Sequence, residues 1–148
     1  MPTLIPSSVL GADGQPAPSN KITLGCIGVG GMGSSNLGSF LGQPGCQVVA
    51  VCDVNESRRQ KAGQTVDGNY GDKGCAMIAD WRELIARKDI DAVMIATNDH
   101  WHSLIATAAA KAGKDMYCEK PMGVSIEDGQ AIRDAVRKHQ RVFQAGTW

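Results

Sequence analysis

Apolar positions along the chain gather in short runs instead of following one steady period. The runs 21–27, 47–52, 76–78, 92–96, 116–118 and 141–144 read as strands. Between them, 33–41, 56–66, 82–87, 103–112 and 126–139 carry apolar residues at helical spacing or helix-forming composition. Strand and helix alternate from residue 21 onward, and repeated βα units imply a parallel sheet covered by helices on both faces. The pattern predicts an α/β fold with a doubly wound parallel sheet of six strands. Residues 1–20 lack sustained periodicity and hold four of the six prolines, so they are expected to form an irregular arm ahead of one folding unit, 21–148.

Composition narrows the range of partners. A chain of 148 residues has the length of one ordinary domain. Fifteen basic and fifteen acidic side chains cancel, so no global field draws it to nucleic acid or to an anionic membrane. No apolar run approaches a membrane span, and the first residues lack an intact export signal, so the chain as given is expected to be soluble. The five cysteines (Cys26, Cys46, Cys52, Cys75 and Cys118) are scattered, mostly within apolar runs, and read as small buried thiols and not as a disulfide framework or a metal site.

Candidate chemistry concentrates at the first strand–helix junction. Gly28-Val29-Gly30-Gly31-Met32-Gly33 follows an apolar run, and Asp53 stands twenty residues past Gly33 at the end of the next run. Gly28 suits a tight turn, Gly30 a close backbone approach to a pyrophosphate, and Gly33 close packing of helix on sheet. Gly31 and Met32 complete a loop whose amides face phosphate oxygens. Asp53 is placed to bond a ribose hydroxyl. This is the pattern of a Rossmann NAD(P)-binding domain, and it makes a nicotinamide dinucleotide the expected cofactor. A carboxylate at position 53 repels a 2′-phosphate, which favours NAD over NADP even though Arg58 and Arg59 follow.

Two further strand ends carry polar groups on the same rim: Thr97-Asn98-Asp99-His100-Trp101-His102 after 92–96, and Glu119-Lys120-Pro121 after 116–118. Taken with the glycine loop and Ala112-Gly113-Lys114, these segments resemble the nucleotide-binding half of the Gfo/Idh/MocA oxidoreductase family from about Lys21 onward. The resemblance implies that Lys120 sits beside the nicotinamide and the reacting carbon as the catalytic residue. It places Glu119, Pro121, Thr97, Asn98 and His102 around the cofactor. Where the family pattern is commonly Thr-Pro, this chain has Thr97-Asn98. A lysine there suits the chemistry, because oxidising an alcohol removes a proton from oxygen and needs a group within hydrogen-bond reach. His100 and His102 have no third ligand spaced nearby, so no metal is expected.

The resemblance further implies a sugar, cyclitol or related polyol as substrate, a homo-oligomeric protein, and a substrate domain lying outside these residues. The 148 residues alone are therefore expected to bind cofactor with little or no turnover. The stretch Ile5-Pro6-Ser7-Ser8-Val9-Leu10-Gly11 resembles the segment after a twin-arginine export signal in some bacterial members, which leaves cytoplasmic and periplasmic locations both open. Other readings are a glycosidase that uses bound NAD as a transient oxidant, and a non-catalytic nucleotide-binding subunit. A methyltransferase would share the glycine loop and the acid, but Glu119-Lys120-Pro121 weighs against it.

Overall fold

The computed structural model describes residues 17, 20–71 and 73–147; most of the expected N-terminal arm lies outside the described residues. Six strands and five helices alternate: β1 (Ile22–Ile27), α1 (Gly31–Leu41), β2 (Cys46–Cys52), α2 (Glu56–Tyr70), β3 (Ala76–Ile78), α3 (Trp81–Ala86), β4 (Ala92–Ile95), α4 (Asp99–Lys111), β5 (Asp115–Glu119), α5 (Ile126–Lys138) and β6 (Phe143–Gly146). All pair in parallel in one sheet of order β3-β2-β1-β4-β5-β6. The order reverses between β1 and β4, and ligands of such sheets bind at that switch point, beyond the carboxyl ends of the strands.

Alternate residues of the central strands serve two cores, as expected for strands covered on both faces. Leu24, Cys26, Val48, Val51 and Met94 pack with Leu37 of α1 and Val66 of α2. Ile27, Ala50, Val93 and Ile95 pack with Leu84 of α3, Ile105 of α4 and Ile132 of α5. Local capping fixes where several helices begin. Asn55 accepts the Arg58 N–H at the start of α2, Asp80 accepts the Arg82 N–H at the start of α3, and Ser125 forms a capping box with Asp128 at the start of α5.

Most boundaries shift from the sequence expectation, the majority by one or two residues, and three shifts have a clear local reason. Helix α4 starts at Asp99 instead of 103, so His100, Trp101 and His102 lie in its first turn, where the Asp99 carboxylate complements the helix dipole. Helix α2 runs on to Tyr70, whose hydroxyl oxygen accepts the Val48 N–H and so anchors the last turn to β2. Strand β6 starts at Phe143 instead of 141, because Arg141 and Val142 are engaged in docking: the Arg141 guanidinium donates to the Gly113 carbonyl and the Val142 N–H to Asp115.

At the opposite end of the sheet from the expected site, Asp91 links β1 to β4. The Thr23 N–H and hydroxyl donate to its Oδ2 at 2.9 and 2.8 Å, and these two donors hold its carboxyl below the usual carboxylate range. A depressed folded value stabilises the fold above the unfolded carboxylate pKa of about 3.9, and that contribution is lost as pH falls through the folded value. Because the group is solvent-accessible, the effect is small. Asp91→Asn is expected to lower the urea midpoint at neutral pH, and its difference from wild type is expected to shrink at acid pH, progressively below about 3.9. An equal difference at neutral and acid pH would mean that ionisation of Asp91 contributes nothing.

Candidate functional site

After β1 the chain turns at Gly28 with φ +82°, and its N–H donates to the Cys52 carbonyl at 2.8 Å. A Cβ at Gly28 would stand 2.5 Å from the Ala96 carbonyl oxygen, so any side chain would part β1 from the end of β4. One turn into α1, a Cβ on Gly33 would lie 1.9 Å from the Gly28 carbonyl oxygen. The two glycines thus let α1 sit directly on the loop it leaves. The N-cap of α1 is Gly30, with no side-chain cap, and the same holds for α4 at Asn98. Helices α2, α3 and α5 each have a side-chain cap that accepts one of their first free N–H groups. Gly30, Gly31 and Met32 of the first uncapped end, and Thr97, Asn98 and Trp101 of the second, line one cavity of about 730 Å³.

Asp53, directly after β2, lines the same cavity. Its Oδ2 accepts the Val29 N–H at 3.1 Å and its Oδ1 accepts the Asn55 N–H at 2.9 Å. The first bond fixes the carboxylate relative to the glycine loop. Two oxygens offer about four acceptor sites, so two remain for a ligand hydroxyl. The two arginines that follow separate in role. Arg59 donates to the Asp53 carbonyl at 2.6 Å, whereas Arg58 lines the cavity beside Gly30 and makes no hydrogen bond or ion pair with any described residue through its guanidinium.

A further wall went unread in the sequence: Ala79, Asp80, Trp81 and Arg82 close the cavity beyond the end of β3. The Arg82 guanidinium lies over the Trp81 ring at 4.6 Å and pairs with Asp80 at 3.1 Å. The rule that strand ends deliver functional groups to one rim covers β3 as well, and it would have found them.

The remaining expected residues sit deeper or farther along the rim. His102 is 1% exposed; its Nδ1 lies 2.6 Å from the Pro121 carbonyl oxygen and its Nε2 3.0 Å from that of Thr97. Glu119 is 5% exposed, and its Oε1 accepts both Asn36 Nδ2 of α1, at 2.8 Å, and the Tyr117 hydroxyl, at 3.0 Å. Neither is on the cavity wall. Burial, reinforced by the Glu119 bond, pushes the Tyr117 phenol up, which suits it to donating. Lys120 follows β5, exposed, with no bond or ion pair to any described residue through its amine; Pro121 is exposed beside it, and the peptide between them is cis. Glu119 and Lys120 therefore face opposite ways, as their adjacency in an extended segment predicts.

The chemistry open to the rim follows from these states. Burial pushes the thiols of Cys52 and Cys118, at the ends of β2 and β5, up to about 12, so neither supplies a thiolate near neutral pH. Among the described residues no group of three or more His, Cys, Asp or Glu could hold a metal ion, and no helix is long and apolar enough to cross a membrane. Bare amides at a helix mouth, a carboxylate fixed to the same loop and a cavity within the roughly 300–1,000 Å³ of cofactor sites fit a diphosphate joined to a ribose.

Comparison with known proteins agrees. A family profile described as an oxidoreductase family with an NAD-binding Rossmann fold matches residues 22–147. The chain is 35% identical over 127 residues to inositol 2-dehydrogenase 1 of Saccharopolyspora erythraea, covering 84% of this chain and 36% of the relative. It is 33% identical over 123 residues to a glycosyl hydrolase family 109 protein of the same organism, covering 81% and 27%. The crystal structure of an NAD-binding protein from Listeria innocua superposes with a TM-score of 0.73 at 31% identity, covering 85% of this chain and 34% of that one. The chain thus spans about a third of the length of such relatives. Sheet order, glycine loop and sequence likeness together show that this chain belongs to the Gfo/Idh/MocA oxidoreductase family and forms its NAD-binding Rossmann fold.

Proposed function

We propose that this chain is the nucleotide-binding domain of an NAD-dependent oxidoreductase that moves a hydride between the nicotinamide and an alcohol carbon of a cyclitol, sugar or related polyol. The observation that carries this reading is that the uncapped mouth of α1 and the pinned Asp53 line one cavity. NAD, when bound, supplies the hydride acceptor. Gly28, Gly30, Gly31, Met32 and Gly33 shape the amide cradle for its diphosphate, and Asp53 takes its adenosine ribose. Thr97 and Asn98 border the far side of the cavity, while Glu119 and Pro121 frame Lys120. Lys120 holds or releases the proton of the substrate hydroxyl, the one step that hydride transfer leaves to the protein. The balanced charge supports a protein with neither nucleic acid nor membrane as partner, and the homo-oligomer that the family resemblance implies completes the proposal.

Calorimetric titration of the chain with NAD, NADP and S-adenosylmethionine tests the reading. Tightest binding is expected for NAD and none for S-adenosylmethionine; absence of nicotinamide nucleotide binding at millimolar concentration overturns it. Asp53→Ser is expected to lower NAD affinity by roughly 10- to 100-fold, the worth of hydrogen bonds to a charged group of about 1.5–3 kcal/mol. NADP should lose less, because Arg58 still faces the cavity and the repelling carboxylate is gone. Unchanged discrimination would remove Asp53 from cofactor selection.

The 33% identity to a glycosyl hydrolase family 109 protein favours a second reading, hydrolysis with no net redox change. Release of sugar from an aryl glycoside without accumulation of NADH, by an active polypeptide containing this domain, would select it.

A further inference from the structure

His102 has a role that neither the cavity nor the proton step assigns. Strands β4 and β5 pair as far as Ile95 and Cys118, so Thr97 and the Lys120–Pro121 segment lie past the ladder that joins them. Past that point no backbone hydrogen bond among the described residues links the two segments. The buried ring of His102, in the first turn of α4, spans the gap: Nδ1 is 2.6 Å from the Pro121 carbonyl oxygen and Nε2 3.0 Å from the Thr97 carbonyl oxygen. Carbonyl oxygens only accept, so a ring nitrogen bonds one of them only by carrying a hydrogen. A neutral ring carries one hydrogen, and we place it on Nδ1, at the shorter contact, so that Nε2 abuts the Thr97 carbonyl without bonding it.

Lys120 has no bond of its own from its amine to any described residue, so its position relative to the cavity is set by its backbone. That backbone is anchored on one side by β5 and on the other by the Pro121 carbonyl. We propose that His102 is a positioning residue: its Nδ1–H ties the Pro121 carbonyl, and with it the Lys120 backbone, to the first turn of α4, whose Trp101 lines the nucleotide cavity. The catalytic meaning of this tether rests on the function proposed above, since it matters there that Lys120 be held near the reacting carbon. Displacements of about 1 Å in such groups cost about a hundredfold in rate.

The test uses the 148-residue chain with two variants, His102→Leu, which removes the ring donor, and His102→Gln, which retains an amide donor. Without nucleotide, backbone ¹⁵N order parameters at Lys120 and Met122 are expected to fall from the rigid value of about 0.85 to below about 0.6 in His102→Leu and to be restored in His102→Gln. A rigid segment in both variants overturns the tether. Should His102→Leu fail to fold, the ring ¹⁵N spectrum of the wild type decides: a hydrogen on Nδ1 supports the proposal, and a bare Nδ1 overturns it. On addition of NADH, the Lys120 amide resonance should shift in wild type and His102→Gln and lose that shift in His102→Leu, although NADH still binds. An equal shift in all three overturns the positioning role. Failure of wild type to bind NADH overturns the nucleotide reading and the catalytic meaning of the tether with it, while the relaxation and ring measurements still report whether the tether exists.

Discussion

Gly33→Ala is expected to abolish NAD binding in calorimetry up to millimolar concentration and to lower thermal stability. The new methyl group would lie 1.9 Å from the Gly28 carbonyl oxygen, a backbone atom with no flexible end to swing aside. Either α1 lifts from the loop or the Gly28 turn opens, and each displaces the amides proposed to face the diphosphate. Overpacking of this kind costs about 1–3 kcal/mol, and each kcal/mol lowers Tm by roughly 2–4 °C in a domain of this size. Gly38→Ala provides the control within the same helix. Nothing lies within 4 Å of a Cβ at that exposed position, so the substitution should raise stability by about 0.5–1 kcal/mol through helix propensity. A Gly33→Ala protein with wild-type affinity and Tm would show that the loop is more compliant than its geometry implies.

Lys120→Ala, in an active polypeptide containing this domain, is expected to lower kcat by about 10²- to 10⁴-fold, the usual share of a positioned acid–base group. NADH affinity should change little, because the Lys120 side chain is exposed and its amine bonds to no described residue, so its removal disturbs no packing. Steady-state kinetics with saturating cofactor, together with NADH fluorescence titration, separates the two effects. An alanine variant as active as wild type would transfer the proton step to another residue.

What could be read from the chain before its structure divides along a physical line. The glycine loop was legible because two of its glycines answer backbone demands within a few residues: the positive φ of Gly28 and the contact of Gly33 with Gly28 are both local. Asp53 was legible because a parallel strand delivers its next residue to the rim regardless of what lies opposite. The supports of the site are long-range. Asn36 meets Glu119 across 83 residues, and His102 meets Pro121 across 19, and nothing in the local pattern of either partner announces the other. The first turn of α4 was missed for a related reason. Asp99, His100 and Trp101 are exposed and polar or amphipathic, and of that turn only His102 is buried, so helical periodicity becomes visible only farther along. Trp81 and Arg82 escaped because β3 is only three residues long and leaves little apolar signal to mark its end as a rim position.

The bare N-terminus of α1 bears on more than recognition. A helix end that no side chain finishes is left to solvent until an anion arrives. The nucleotide then serves as the absent last piece of the native structure, and its binding energy becomes folding energy. At a free concentration a hundred times its dissociation constant, that contribution is about 2.7 kcal/mol, a sizeable share of the marginal stability of any domain. Survival of the polypeptide against proteolysis would then follow the supply of dinucleotide around it, so that starving the protein of its coenzyme shortens its lifetime as well as silencing it.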